Sequence, residues 1–257
     1  MRVIEFRIVI PLSVEQYEIG MLYSVSETSK QETGGGEGVQ ILENYTYDTE
    51  GADGQYTYKI YHFFNKLPAW VRILAPASAT SRVHEEAWNT YPYCRTSVSN
   101  PEFMKDSFFI YIESLHVAGR TPLENALKAD QETLAKREVV YIDMEEDEQF
   151  QASCANSSGG TIPADWKKNP DSPVMTVYKL VKIKFQWVGV QQRTEDMIFK
   201  NQKRALQMFH RKLLAWMDRW IDLNKDDIRR IEEETKEHLD RERTVGEIKG
   251  EMIQEED

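Results

Sequence analysis

Cysteine is scarce in this sequence, with only Cys94 and Cys154 among 257 residues. Two cysteines cannot build the disulfide framework that stabilises small secreted domains. Together with five scattered histidines, they also give no spacing typical of metal ligands. The composition therefore predicts a reduced protein that needs no metal and no other cofactor.

Long hydrophobic runs and an excess of positive charge are also missing. No stretch approaches the roughly 18 apolar residues that a membrane-spanning helix requires. The first residues, MRVIEFRIVIPL, interleave Arg2, Glu5 and Arg7 with apolar residues, which is typical of a strand and not of a signal peptide. The net charge of −11 argues against an extended nucleic-acid surface, which requires a basic field. We expect a cytoplasmic globular protein without a nucleic-acid partner.

The N-terminal half reads as a strand, a helix and several further strands. Alternation predicts a strand over Val3 to Ile10, and Ser13 with Gln16 forms a capping box that starts the helix SVEQYEIGMLYSVSETSK. Two segments rich in β-branched and aromatic residues, VQILENYTYD and QYTYKIYHFF, predict a hairpin. Further strands are predicted in YPYCRTSVSN, SFFIYIESLH, REVVYIDM and SPVMTVYKLVKIKFQWVGV.

The C-terminal part begins with a polar stretch at 144–172, which predicts a long surface loop. From about Gln191 to Leu223, apolar residues recur every three or four positions and predict one long amphipathic helix. Asn224, with Asp227 in the capping-box position, starts a second helix. This order of elements predicts an α+β fold with helices on one face of a curved antiparallel sheet.

The glycine-rich stretch KQETGGGEG could be taken for a phosphate-binding loop. A P-loop, however, follows a strand, ends in Gly-Lys-Ser/Thr and precedes a helix. Here a helix precedes the glycines, a strand follows, and no lysine comes directly after them. Glycine beyond a helix end supplies positive φ for chain reversal, so the stretch predicts a structural turn.

Cys94 has two interpretations. It could be a nucleophile with His84 or His116 as its base, but nothing in the sequence places a histidine beside it. It lies in the apolar strand YPYCRT, and free cysteine is among the most buried residue types. The buried interpretation is favoured.

The strand YTYKIY divides its side chains between two faces. Tyr56, Tyr58 and Ile60 share one face, which is expected to pack against the protein interior. Thr57, Lys59 and Tyr61 share the other, which is either an ordinary solvated sheet face or a polar patch inside a concavity. In the second case, Lys59 could pair with an anion such as a phosphate.

Two further features remain ambiguous from the residues alone. The run IEEETK, residues 231–236, is typical of a solvated helix surface, and nothing intrinsic marks any one glutamate as functional. Trp187, at the end of a predicted strand, is either an interfacial membrane anchor or a core residue.

Several long motifs together resemble the phosphatidylinositol transfer proteins, the small single-domain class I type. They are LYSVSETSKQETGGGEGV, GQYTYKIYH, LAPASA, HEEAWNTYPYCRT, YKLVKIKFQW and DDIRRIEEETK, and the resemblance extends from Val3 to about Arg243. It implies a START-like helix-grip fold, in which a concave antiparallel sheet and long helices enclose one phospholipid. It also implies that the glycine stretch is a structural connection.

The resemblance implies two sets of headgroup contacts. The inositol-phosphate contacts fall on Thr57, Lys59, Asn89 and Glu233. The phosphocholine contacts fall on Cys94, Thr96, Ser114 and Lys179. Ser114 replaces the usual threonine, and Met21 stands where the family has a glutamine. The tandem tryptophans that dock the family on membranes correspond to Trp187 and Val188.

The implied organisation is a lipid-binding domain at 1–243, with the 144–172 loop within it, and an acidic tail at 244–257. We expect a monomeric carrier, not an enzyme, that is cytoplasmic and transiently membrane-associated. It would exchange phosphatidylinositol, and also phosphatidylcholine, between membranes. The helix from Lys225 and the tail are the candidate gate. The alternatives are a START-like carrier of phosphatidic acid or a sterol, and an enzyme on the same cavity-bearing fold with Cys94 or Lys59 active.

Overall fold

The computed structural model of this chain describes residues 1–49, 52–74, 82–144, 162, 165–250 and 253. The strands in these ranges are β1 (Arg2–Ile10), β2 (Gly38–Thr49), β3 (Ala52–His62), β4 (Arg82–Thr90), β5 (Tyr93–Ser99), β6 (Phe108–Ala118), β7 (Glu138–Asp143) and β8 (Met175–Phe185). They form one sheet in the order β2-β3-β4-β5-β6-β8-β1-β7. Neighbouring strands are antiparallel except β1 and β7, which run parallel.

The helices pack mainly on one face of this sheet. They are α1 (Val14–Glu32), α2 (Ala69–Leu74), α3 (Gln131–Lys136), α4 (Gln191–Ala215), α5 (Met217–Trp220) and α6 (Lys225–Glu242). Helices α1, α4 and α6 contact the sheet, and α5 packs against α1 and α4. The fold is therefore α+β, as the sequence predicts, and agrees with the helix-grip arrangement that the resemblance implies.

The two faces of β1 show how the sequence separates the interior from the outer face of the sheet. Its even-numbered residues from Ile4 to Ile10 are fully buried, and Phe6 stacks on Phe199 of α4 with ring centroids 6.1 Å apart. On the opposite face, Arg7 forms a buried ion pair with Glu5 at 2.6 Å. Arg137, directly after α3, binds the same carboxylate, so this network holds α3 against the outer face.

A close approach of helices closes one end of the interior. The ring of Trp220 lies against Gly20 of α1, where an added Cβ would come within 2.8 Å of a ring carbon. The indole nitrogen of Trp220 donates to the carbonyl of Leu213 at 2.7 Å. Glycine at position 20 is therefore what lets this fully buried tryptophan pack between the helices.

Both predicted capping boxes are present, with Ser13 and Gln16 at the start of α1 and Asn224 and Asp227 at the start of α6. The prediction of one helix from Gln191 to Leu223 is wrong, because α4 ends at Ala215 and the chain turns at Trp216 before α5. The apolar spacing continues across this break because the side chains on both sides still face the same core.

The glycine stretch forms the predicted turn. Gly35 and Gly36 have φ values of 64° and 91°, which side chains rarely adopt, and a bridge joins Gly34 to Glu37. The turn also contacts the segment after α6, since the Gly35 nitrogen donates to the Val245 carbonyl at 2.9 Å. A Cβ on Gly35 would collide with the backbone of residues 247–248.

The predicted surface loop at 144–172 falls largely outside the described residues, which omit 145–161, 163 and 164. Cys154 lies in that undescribed part. Within the described part, Met144 and Trp166 are buried, so the segment is not solvent-exposed throughout. Of the tail, residues 244–250 and 253 are described.

Candidate functional site

Two adjoining hollows lie between the sheet and the helices. The larger, which we call the apolar cavity, has a volume of about 640 Å³ and is lined mostly by hydrophobic side chains of α1, α2, α4 and strands β4 to β6. The smaller, which we call the polar chamber, measures about 160 Å³. Val25 and Ser29, one turn apart on α1, line both, so the two hollows adjoin along this helix.

The strand register builds the wall of the polar chamber. Asn89, Cys94, Ser114 and Lys179 lie opposite one another on β4, β5, β6 and β8, and form one continuous row. Thr57 and Thr96 flank Ala87 in a second row. Because side chains alternate between the two faces of a strand, the residues of both rows share the interior face of the sheet.

This arrangement brings together seven of the eight predicted headgroup residues. Those that line the polar chamber are Thr57, Lys59, Asn89, Cys94, Thr96, Ser114 and Lys179. Met21 also lines the chamber, where it presents a thioether without a hydrogen-bond donor.

The orientation of β3 decides between the two interpretations of its polar face. Thr57 and Lys59 line the polar chamber, and Tyr61 lines the apolar cavity, so this face is an interior concavity and not a solvated surface. The expectation that Tyr56 and Tyr58 pack in the interior is wrong. They lie on the outer face, where Tyr56 donates to Glu86 at 2.9 Å and Tyr58 contacts His84 at 2.6 Å.

Glu233, the eighth predicted residue, is exposed and does not line the chamber. The preceding residue, Glu232, does. Its carboxylate accepts from Gln55 at 2.9 Å and pairs with Arg229 at 3.2 Å. The helical period could have identified it, because Glu232 lies four residues after the buried Ile228 and so on the same face of α6.

The two chamber lysines differ in their electrostatic partners. Lys59 has its ammonium 3.7 Å from a carboxylate oxygen of Glu85, which also accepts from Tyr61. Lys179 donates to the hydroxyl of Ser114 at 3.1 Å, and no carboxylate of the described residues forms an ion pair with it. Burial lowers the pKa of Lys179, because removal from water disfavours its charged form. An anion in the chamber would relieve that cost.

The surroundings of Cys94 oppose its use as a nucleophile. Burial raises the pKa of its thiol to about 11, whereas a reactive cysteine requires a lowered pKa. His116 also lines the chamber, but its Nδ1 lies 2.8 Å from the Pro92 carbonyl, and burial lowers its pKa to about 3. Since a carbonyl only accepts, Nδ1 carries the proton and the ring is neutral at physiological pH.

The predicted membrane-docking residues differ in exposure. Val188 is 98% exposed at the turn after β8. Trp187 is half-buried, lines the apolar cavity and packs on Phe103, with ring centroids 5.5 Å apart. Ile253 of the tail also lines this cavity, and its nitrogen donates to the Lys66 carbonyl at 3.0 Å. The tail therefore forms part of the cavity wall.

Comparison with known proteins gives a consistent result. Residues 1–237 match the family model described as phosphatidylinositol transfer protein. The chain is 46% identical to the bovine (Bos taurus) phosphatidylinositol transfer protein beta isoform, with 96% of each chain covered, and 45% identical to the human form over the same share. It is 42% identical to phosphatidylinositol transfer protein 2 of Dictyostelium discoideum, over 91% of this chain and 94% of that one.

The described residues contain neither a membrane-spanning helix nor a cluster of metal ligands. None of the helices in the described ranges is long and apolar enough to cross a bilayer. Across the same ranges, His, Cys, Asp and Glu side chains do not gather in groups of three that could hold a metal ion.

Proposed function

This chain belongs to the phosphatidylinositol transfer protein family, and from that premise we propose that it carries one phospholipid at a time between membranes. The acyl chains occupy the apolar cavity and the headgroup occupies the polar chamber. The observation that carries this proposal is the adjacency of the two hollows along Val25 and Ser29, which matches the amphipathic division of a phospholipid.

The apolar cavity supplies the main energetic requirement of a carrier. Removal of one CH₂ group from water is favourable by about 0.8 kcal/mol. Two acyl chains with about 32 such groups in total therefore stabilise a lipid in its bilayer by roughly 25 kcal/mol. A cavity lined by hydrophobic side chains offsets most of that cost, whereas water does not. The headgroup contacts then determine which lipid is preferred.

For phosphatidylinositol, the chamber offers complementary groups at fixed positions. The Lys59 ammonium pairs with the lipid phosphate. Thr57 and Asn89 exchange hydrogen bonds with the inositol hydroxyls, and a carboxylate accepts from them. Because Glu233 is exposed, we assign this last role to Glu232, which already lies in the chamber. A choline headgroup offers no hydroxyl for these contacts.

For phosphatidylcholine, the row of Cys94, Ser114 and Lys179, together with Thr96, surrounds the phosphate. The absence of an ion pair at Lys179 among the described carboxylates supports this assignment, since a phosphate would supply the missing negative charge. Met21 gives no hydrogen bond here, so Lys179 and the hydroxyls hold the phosphate without it.

Exchange requires the cavity to open at a membrane and to remain closed in water, because an open cavity would expose a large apolar patch. Trp187 and Val188 dock the cytoplasmic, monomeric protein transiently on the bilayer. Helix α6 and the tail form the gate: α6 carries Glu232 into the chamber, and the tail places Ile253 at the apolar cavity. The carrier performs no covalent chemistry.

Neighbouring glutamates provide the sharpest test of this proposal. Glu232→Gln removes a carboxylate inside the chamber, and Glu233→Gln removes one on the surface of the same helix. We expect the first to reduce phosphatidylinositol transfer about tenfold, since a hydrogen bond to a charged group contributes roughly 1.5 kcal/mol or more. The second should leave transfer unchanged, and both should transfer phosphatidylcholine normally.

Native mass spectrometry of the purified wild-type protein provides the direct measurement. One inositol phospholipid or choline phospholipid per protein molecule is expected. A protein that contains neither lipid, and that moves neither between labelled vesicles, contradicts the carrier proposal. Equal losses in the two glutamine variants would contradict only the assignment of Glu232.

A further inference from the structure

Three segments of the chain bring the lining of the apolar cavity to the protein surface. They are α2, the turn at 101–107 and the turn at 186–190. In each, one apolar residue lines the cavity and a neighbour one or two positions away is exposed. The pairs, lining residue first, are Val71 with Ile73, Met104 with Phe103, and Trp187 with Val188. In all three segments, the apolar lining of the cavity therefore lies within two residues of an exposed apolar side chain.

Two of these segments form a single structural unit. The nitrogen of Gln186 donates to the carbonyl of Ser107 at 2.7 Å, which joins the two turns through their backbones. Trp187 stacks on Phe185 at 6.5 Å with ring planes 11° apart, and Phe103 packs against it from the other turn. Trp187 is thus held between aromatic neighbours, and Phe103 is the more exposed ring, at 40%.

We propose that Phe103, presented by the 101–107 turn, is a membrane-contact residue that inserts into the bilayer together with Trp187 and Val188. The inference rests on the proposed carrier function. The partner of this surface is a phospholipid bilayer, because the exposed apolar side chains adjoin residues that line the hydrocarbon-binding cavity. A lipid that enters between them passes from bilayer to protein with its acyl chains shielded from water.

The geometry gives Phe103 two effects at the interface. Its ring adds apolar surface beside Val188, and aromatic rings are favoured at the level of the lipid headgroups. It also covers one side of Trp187, so the two rings enter the bilayer as one packed unit. The turn that presents it is fixed by Asn100, whose side-chain oxygen accepts from the nitrogens of Phe103 and Met104 at 2.9 and 3.0 Å.

The test compares Phe103→Glu with Leu123→Glu. Leu123 is also an exposed hydrophobic residue, but its nitrogen binds Tyr178 on the opposite face of the sheet, away from the cavity. Binding to sedimented phosphatidylcholine vesicles that contain phosphatidylinositol is measured for each. We expect Phe103→Glu to weaken vesicle binding roughly tenfold, which corresponds to a modest loss of interfacial contact. Leu123→Glu should bind as the wild type does.

A Phe103→Leu variant separates insertion from folding, because it keeps the apolar character and loses the ring. It should retain most of the vesicle binding, and all variants should show the wild-type thermal midpoint. If Phe103→Glu binds vesicles as well as Leu123→Glu does, the inference is overturned. The inference is also overturned if light scattering shows that Phe103 mediates association of two copies of the wild-type protein, while Phe103→Glu leaves vesicle binding unchanged.

Failure of this inference is distinguishable from failure of the carrier proposal. Normal vesicle binding by Phe103→Glu, with normal lipid transfer by the wild type, removes Phe103 from the contact surface and leaves the carrier intact. Absence of transfer by the wild type removes the carrier proposal, and with it the basis of this inference.

Discussion

The apolar cavity and the polar chamber adjoin along α1 but are built in different ways. The cavity draws many hydrophobic side chains from helices and strands, and exchange of one for another of similar size changes little. The chamber depends on a few polar groups at fixed register, such as the row Asn89, Cys94, Ser114 and Lys179. Hydrophobic burial is non-directional, whereas hydrogen bonds require geometry. We therefore propose that the first region provides affinity and that the second provides selectivity.

Internal hydrogen bonds strengthen this contrast. In the polar chamber, Gln55 binds both Asn44 and Glu232, and Thr57 lies 3.3 Å from the Asn44 side-chain oxygen. These groups are thus held in position before a ligand arrives, which lowers the entropy cost of binding. The lining of the apolar cavity is mostly hydrophobic, so its walls fix the volume and not the orientation of what they enclose.

The largest predicted effect comes from filling the cavity. Val98→Trp places a large ring among the lining residues and excludes about three CH₂ groups, each worth about 0.8 kcal/mol. We expect transfer of inositol and choline lipids to fall together, by roughly fiftyfold. Vesicle transfer assays with the two labelled lipids measure this, with the thermal midpoint as a control for overpacking. A loss confined to one lipid would break the proposed division between the regions.

A smaller and selective effect is predicted in the polar chamber. Thr57→Val keeps the shape of the side chain and removes its hydroxyl. A neutral hydrogen bond contributes about 1 kcal/mol, so phosphatidylinositol transfer should fall roughly fivefold. Phosphatidylcholine transfer should be spared in the same assay. Parallel loss of both lipids would show that Thr57 does not distinguish headgroups.

The smallest predicted effect concerns the tail, whose Ile253 lines the apolar cavity. Gly35→Ala and Gly36→Ala both place an alanine at a positive φ, so both variants carry backbone strain. Only at position 35 does the new Cβ collide with the backbone of residues 247–248. We expect Gly35→Ala to displace the tail and to prolong membrane residence a few-fold, without a change in lipid selectivity.

The matched variant and a truncation complete that comparison. Gly36→Ala should keep wild-type residence on vesicles, because its Cβ meets no neighbouring atom. Removal of the residues after Arg243 should reproduce the effect of Gly35→Ala. If neither the truncation nor Gly35→Ala alters membrane residence or transfer rate, the tail does not act as a gate.

Features set by neighbouring residues could be predicted from the sequence. The capping boxes at Ser13 and Asn224 depend on residues three positions away, and both are present. The turn at Gly34 to Gly36 follows from the need for positive φ after a helix. Strand β4 was missed because RVHEEAWNT carries several charged side chains and lacks a clear apolar alternation.

Features set by distant residues could not be obtained in this way. The residue pattern leaves the two interpretations of the polar face of β3 open, because the sequence around Thr57 does not reveal which side of the strand the helices cover. The parallel pairing of β1 with β7 depends on contacts far apart in the chain. Grouping of the headgroup residues comes from the family resemblance. On α6, the helical period distinguishes Glu232, which lines the chamber, from the exposed Glu233.

The central β1–β8 ladder pairs Arg2 with Ile183, so its two strands are separated by most of the chain. Closure of so long a loop is entropically costly and slow. During translation, β1 cannot pair with β8 until β8 has left the ribosome. Strands β2 to β6, in contrast, can pair as successive local hairpins. The sheet that walls both hollows is therefore completed late in biosynthesis, after β8 has been synthesised.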